Sequence, residues 1–151
     1  MEILARLRLK QNLLIAILAG VGAALISAII WAAITVATEY QIGWMAVGVG
    51  FAVGFAVRLG KGIDTIYGIV GAVLSLMGCL LGNFFSLLGF VSKEEGISVF
   101  ELIPDIDYSL VPGAMADTFS PIDLLFYGIA IYEGYKLSFR RISEQDILSL
   151  R

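Results

Sequence analysis

From Leu13 to Ala37 the chain runs for 25 residues without a charged side chain. As a helix, at about 1.5 Å per residue, this run outreaches the roughly 30 Å hydrocarbon core of a bilayer. A soluble chain of 151 residues would have to wrap such a helix on every side, and its composition leaves little polar surface for the outside. Hydrophobic residues make up 59%, charged residues 15%, and the mean hydropathy is +0.91, well above the apolar share of soluble domains. The sequence is therefore read as that of an integral membrane protein.

Three more apolar segments follow. Ile42–Val57 is uncharged, and Tyr40 and Trp44 give it an aromatic edge of the kind found at membrane interfaces. Thr65–Val91 is again long and uncharged, whereas the stretch over 121–139 carries Asp123 near its start and Glu133 and Lys136 inside. No alternation of the strand type is sustained, which argues against a β-barrel. The expectation is an all-α fold in one membrane domain, 1–151. Four transmembrane helices over about 13–37, 41–58, 65–91 and 121–139 form an integral bundle, with an outer loop at 92–120. Arg6, Arg8 and Lys10 precede the first span as they would a signal peptide. Its apolar run is longer than the roughly 7–15 residues of a signal core, so an uncleaved helix is expected.

The basic residues set the direction. With four crossings, 9 of the 10 Lys and Arg fall on the side of both termini: Arg6, Arg8, Lys10, Arg58, Lys61, Lys136, Arg140, Arg141 and Arg151. Lys93 alone lies opposite, with 8 of the 13 acids (Glu39, Glu94, Glu95, Glu101, Asp105, Asp107, Asp117 and Asp123). The net charge of −3 thus divides into +4 on one side and −7 on the other. By the positive-inside rule both termini and the short 58–64 loop are cytoplasmic, which implies a multi-pass protein of a cell or inner membrane.

Much chemistry is excluded at once. The absence of histidine removes His-based acid–base catalysis and HExxH metal sites. A single cysteine, Cys79, removes an intrachain disulfide and any CxxC motif. Gly54, Gly60, Lys61 and Gly62 have the wrong spacing for a P-loop and lack its Ser or Thr. The Ala46–Gly50 stretch has the glycines of a potassium filter but lies inside an unbroken span. No GxSxG elbow is present. No enzyme activity, catalytic residue, metal ligand, cofactor or nucleic-acid partner is expected. The bilayer is the partner the composition implies.

Small residues are the most unusual local pattern. Gly71, Ser75, Gly78, Gly82, Ser86 and Gly89 recur at steps of four and three in the third span, within an arc of about 80°. In lipid, helices associate through close backbone approach, which such a seam permits. The second span has Gly43, Gly50 and Gly54 on one face and Gly48, Ala52 and Ala56 on nearly the opposite one; the first carries Ala16, Gly20, Ala24, Ala28 and Ala32. Two readings stay open: packing within one bundle, or a seam left free for a homo-oligomer or another membrane protein.

Polar residues inside the spans form the candidate intramembrane site: Glu133, Lys136 and Asn83. Counted from Leu124, Glu133 lies about 13–14 Å along its helix, near mid-bilayer, where a lone charge is costly. Lys136 is one turn on, so the pair either snorkels together to the cytoplasmic surface or makes a proton- or ion-responsive carboxylate. Asn83 lies beside the small-residue seam and is placed to bridge helices. Tyr127, Tyr132 and Tyr135 give the fourth span either a polar lining or interfacial anchors. Cys79 reads as a small apolar filler.

Outside the spans, Ser98–Ile103 reads as a short interfacial helix within a connecting loop. Ser120-Pro121-Ile122-Asp123 reads as a helix start, which accounts for Asp123 as a capping carboxylate. Met1–Gln11 is basic with Ile3, Leu4 and Leu7 at helical spacing, as expected of a segment lying on an anionic inner surface. The tail Arg140–Arg151, with Ile147, Leu148 and Leu150, is short and of mixed charge.

At Gln41-Ile-Gly-Trp-Met-Ala-Val-Gly-Val-Gly-Phe51, at Ser120-Pro-Ile-Asp-Leu-Leu-Phe-Tyr127, and at Tyr132-Glu-Gly-Tyr135 the chain resembles small bacterial multi-pass membrane proteins with no assigned function. The likeness runs from the first span to the fourth. It implies a bacterial inner-membrane location and offers no catalytic residues to carry over. Some of those proteins carry a zinc ribbon in front, which a chain with only Cys79 does not have. The function expected is that of a non-enzymatic component acting through helix–helix contacts. The alternative is a small ion or solute channel or transporter that uses Glu133 and Lys136.

Overall fold

The computed structural model describes residues 2–40, 43–142 and 144–148. Gln41 and Ile42, at the head of the expected second span, and Leu150 and Arg151, in the tail, lie outside the described residues. Among the described residues every regular element is helical. Helix α1 is Glu2–Lys10, α2 Leu13–Thr38, α3 Trp44–Val57, α4 Thr65–Glu95, α5 Val99–Leu102, α6 Val111–Thr118, α7 Pro121–Leu137 and α8 Glu144–Leu148. Short 3-10 turns occupy Arg58–Gly60, Ile103–Asp105 and Tyr108–Leu110.

Each boundary has a local cause. The Asn12 side chain accepts the Ile15 N–H at 3.2 Å and starts α2. Gly96 takes the left-handed conformation, φ 70°, and its N–H closes on the Ser92 carbonyl at 3.0 Å to end α4. Ser98 accepts from the Glu101 N–H at 3.2 Å while the Glu101 carboxylate accepts from the Ser98 N–H at 3.4 Å, the reciprocal box that starts α5. At α7 the Asp123 carboxylate accepts from the Ser120 N–H at 2.9 Å and from its hydroxyl at 3.2 Å. Asp123 is a capping residue, as its position after Ser120-Pro121 predicts.

Two helices, α2 with 26 residues and α4 with 31, are long and apolar enough to cross a membrane. Helix α3, extended by its 3-10 turn, is a shorter apolar helix, Trp44–Gly60. Helix α7 stops at Leu137, two residues before the predicted end.

The four main helices pack around α4. Helix α2 lies parallel to it: Gly20 faces Leu74, Gly78 faces Ala24, Gly82 faces the Trp31 ring and Gly89 faces Val36. Helix α7 lies antiparallel to α4, with Gly68 under Tyr135 and Phe139 and Gly71 against Gly134 and Ser138. Helix α3 runs parallel to α7, Gly43 meeting Phe126 and Gly50 the Ala130 backbone. Its other neighbours are α2, through Val57 and Gly20, and α4, through Val49 and Gly78. The core between them holds Trp31, Val49, Val53, Val57, Tyr67 and Cys79, each at most 2% exposed.

One end of this bundle is tied by hydrogen bonds that cross between distant segments. The Asn12 N–H reaches the Gly60 carbonyl at 2.7 Å, and the Arg140 N–H reaches the Gly62 carbonyl at 2.8 Å. Arg8 Nε donates to Asp64 at 2.9 Å, Gln11 Nε2 donates to the same carboxylate at 2.5 Å, and the Gln11 side-chain oxygen accepts the Ile63 N–H at 3.1 Å. Arg58 Nε donates to the Leu137 carbonyl at 2.8 Å. The basic residues Arg8, Arg58 and Arg140 therefore gather at one end, while Lys93 pairs with Glu39 at the other, 3.0 Å apart.

Candidate functional site

Helix packing divides the sequence-predicted site into separate places. Asn83, on α4, donates its side-chain amide to the Tyr127 hydroxyl on α7. That hydroxyl donates in turn to the Cys79 carbonyl at 3.4 Å. Tyr127 is 7% exposed and meets Trp31 edge-on, with ring centroids 6.5 Å apart. Asn83 thus bridges α4 to α7, the role its place beside the seam predicts. Tyr127 is a buried partner that also lines a cavity with Asn83. Its match to Asn83 was readable only by aligning two antiparallel helices in depth. A cavity of about 280 Å³ adjoins this bridge, with Met115, Ala116 and Phe119 on its outer side.

Glu133 and Lys136 lie elsewhere. Six residues of α7 separate Tyr127 from Glu133, about 9 Å along the axis. Glu133 is half-buried, and its carbonyl faces Gly54 of α3. The predicted Glu133–Lys136 ion pair is not formed among the described residues. Lys136 is exposed and instead holds its ammonium 5.6 Å from the centre of the Tyr132 ring, a cation–π contact at helical i,i+4 spacing. Because α7 ends at Leu137, Glu133 is also only about 6 Å, little more than one turn, from the helix end on the basic side.

The seam of α4 is engaged within the chain by α7, by α2 and, at Gly78, by Val49 of α3. Gly71 and Ser75 receive α7, so closely that a Cβ at Gly71 would collide with the Gly134 carbonyl and the Ser138 hydroxyl. Gly78, Gly82 and Gly89 receive α2. Ser86 is buried and returns its hydroxyl to the Gly82 carbonyl at 2.7 Å. A single stripe in sequence thus serves contacts to more than one neighbouring helix. Ser75 is fully buried and its hydroxyl has no hydrogen-bond partner among the described residues.

The two small faces of α3 have different fates. Gly50 and Gly54 abut α7, where a Cβ would lie 2.6 Å from the Ala130 carbonyl oxygen and from Leu137 Cβ respectively. Gly48, nearly opposite, is exposed and has nothing within 4 Å of its Cβ position. Phe51 and Phe55 share its side of the helix, are 42% and 49% exposed, and stack on each other with centroids 6.3 Å apart. Arg58 closes the row, its guanidinium 4.9 Å from the Phe55 ring centre. This is a notch of glycine flanked by aromatic ridges.

Among the described residues no group of three or more carboxylates, thiols or imidazoles is arranged to hold a metal ion. Among the described residues the fold is that of an all-α protein with two helices long and apolar enough to cross a membrane. No family model, no curated protein and no solved structure matches the chain.

Proposed function

We propose that this chain is a four-crossing protein of a bacterial inner membrane with both termini in the cytoplasm. It acts there as a non-enzymatic assembly component that receives a helix of another subunit on α3. The observation that carries this reading is the open position at Gly48: nothing lies within 4 Å of its Cβ, as is also true of Gly22 on α2 and Gly128 on α7, but Gly48 shares its face with the stacked, exposed rings of Phe51 and Phe55. Phe51 and Phe55 beside it supply contact area, and close approach over a glycine is how helices gain dispersion energy in lipid. Helices α2 and α4 meet the length of a bilayer unaided; α3 and α7, tied to them at the basic end, make up the other two crossings of the proposal. The gathering of Arg8, Arg58 and Arg140 at one end supports the cytoplasmic assignment of that end.

The test is the mass of the particle extracted from its own membranes in mild detergent. The native chain is expected in a complex larger than one copy, and Gly48→Leu is expected to release it while leaving helicity and unfolding temperature unchanged. A native chain that runs as a single copy, or a Gly48→Leu particle of native mass, overturns the proposal. Transport is the second reading, and the half-buried Glu133 without an ion pair is what favours it. Proteoliposome flux above that of empty vesicles and abolished by Glu133→Gln would establish it.

A further inference from the structure

We infer that the far end of the bundle from the basic cluster holds one phospholipid whose headgroup carries both a phosphate and a primary ammonium, that is, a phosphatidylethanolamine-type lipid. The inference rests on the membrane-spanning reading above. A groove of about 800 Å³ runs between α2 and α4, floored by Ala32, Val36 and Gly89 and roofed by Val99 and Phe100 of α5. Its only charged lining residue is Lys93. Along α2 it extends from Ile29 to Ala37, about 12 Å of helix axis, close to the depth of one leaflet in a core of roughly 30 Å. Those dimensions suit a single acyl chain. Phe100 is 85% exposed, which leaves its ring free to close over the chain or to rest in the surrounding lipid.

The headgroup follows from what stands at the mouth. Lys93 also lines a second cavity of about 500 Å³ with Glu39, Glu94 and Phe90. Its ammonium lies 3.0 Å from the Glu39 carboxylate, and both side chains are more than half exposed. One cation and two carboxylates make a cluster of net −1, on the end where the acids predominate. A purely anionic headgroup is repelled there. A zwitterion is matched: its phosphate replaces Glu39 at Lys93, and its ammonium takes the two carboxylates. A primary ammonium can donate hydrogen bonds to both carboxylates, whereas a quaternary one has no N–H to give. Lys93 is suited to this position, with its methylene stem along the apolar groove and its charge at the polar edge.

The test uses the full chain in detergent, offered equal amounts of phosphatidylethanolamine, phosphatidylcholine and phosphatidylglycerol, with retained lipid read by native mass spectrometry. One retained phosphatidylethanolamine per chain is expected, preferred about fivefold over the other two, the scale of exposed charge pairing. Glu39→Gln with Glu94→Gln should erase the preference over phosphatidylcholine, and Ala33→Phe, which fills the groove, should remove the bound lipid. The charge variants sit on the surface and test the proposal even where Ala33→Phe fails to fold. Retention without headgroup preference overturns the inference, as does a preference unmoved by the glutamine variants. A second copy of the chain displaced by Ala33→Phe in place of lipid overturns it as well. Flotation with liposomes is measured alongside: a chain that floats yet retains no such lipid refutes this inference alone, and a chain that does not float refutes the membrane reading with it.

Discussion

A glycine in this chain is defined by what stands opposite it. At Gly71 the opposing atoms are the Gly134 carbonyl on α7 and the hydroxyl of Ser138, the residue that caps that helix. Backbone cannot retreat as a flexible side chain can, so Gly71→Leu is expected to lower stability by about 3 kcal/mol or more, measured by reversible unfolding in mixed micelles. The same substitution at Gly48, where nothing lies within 4 Å, should leave that measurement unchanged. At Tyr127→Phe the Asn83 amide loses its acceptor, and about 1 kcal/mol of stability should go with it. The Asp107 carboxylate, in the 103–110 turn segment, is held below its ordinary value of 3.8 by hydrogen bonds from the Ser109 hydroxyl and then from its N–H. A carboxylate shifted down stabilises its turn fully above the unfolded value and loses that contribution as the pH falls through the folded one. Protease nicking of the 105–110 turn should therefore increase only on the acid side of 3.8, and Asp107→Asn should remove that dependence. Among these residues the sequence made Asn83 legible as a helix bridge and Asp123 as a cap. It left Tyr127 unassigned, because a partner across a helix interface depends on relative depth, which no local pattern encodes.

At the scale of elements, length and capping were legible and pairing was not. The uncharged run from Leu13 and the Ser120-Pro121 start marked α2 and α7 nearly to the residue, and Ser98 marked α5. The six-residue seam of α4 gave no sign that its lower part takes α7 and its upper part α2, since both faces lie within one arc. The equivalence of the two small faces of α3 was likewise broken only by packing: α7 covers Gly50 and Gly54 and leaves Gly48 open. The 58–64 connection shows what short loops do here. Asp64 receives both Arg8 and Gln11, and Gly60 and Gly62 carbonyls receive the chain from α2's start and α7's end. Asp64→Ala is expected to cost about 1 kcal/mol, the scale of a part-exposed charged contact, and to speed amide exchange at Ile63, whose N–H is held by Gln11. An unchanged exchange rate at Ile63 would mean that the clamp does not depend on Asp64.

At the scale of the whole molecule the two ends of the bundle are unlike. The ends differ in charge, with the basic groups gathered where α2 begins and α7 ends and Lys93 paired to Glu39 at the far end. In a Cys79→Ala background, Lys93→Cys should react with a membrane-impermeant thiol reagent from outside the cell, and Lys61→Cys only after the membrane is opened. Reaction of both from one side would break the four-crossing arrangement. Contact on α3 is the more consequential property, because it turns a bundle into a component. It is tested most directly by placing a photoreactive benzoylphenylalanine at Phe51, beside the Gly48 notch, and at Ile26, which is 62% exposed on α2, and irradiating native membranes. A protein-sized adduct is expected from position 51, whether to a second copy or to another chain, and adducts to lipid alone from position 26. Lipid adducts alone from both positions would contradict it.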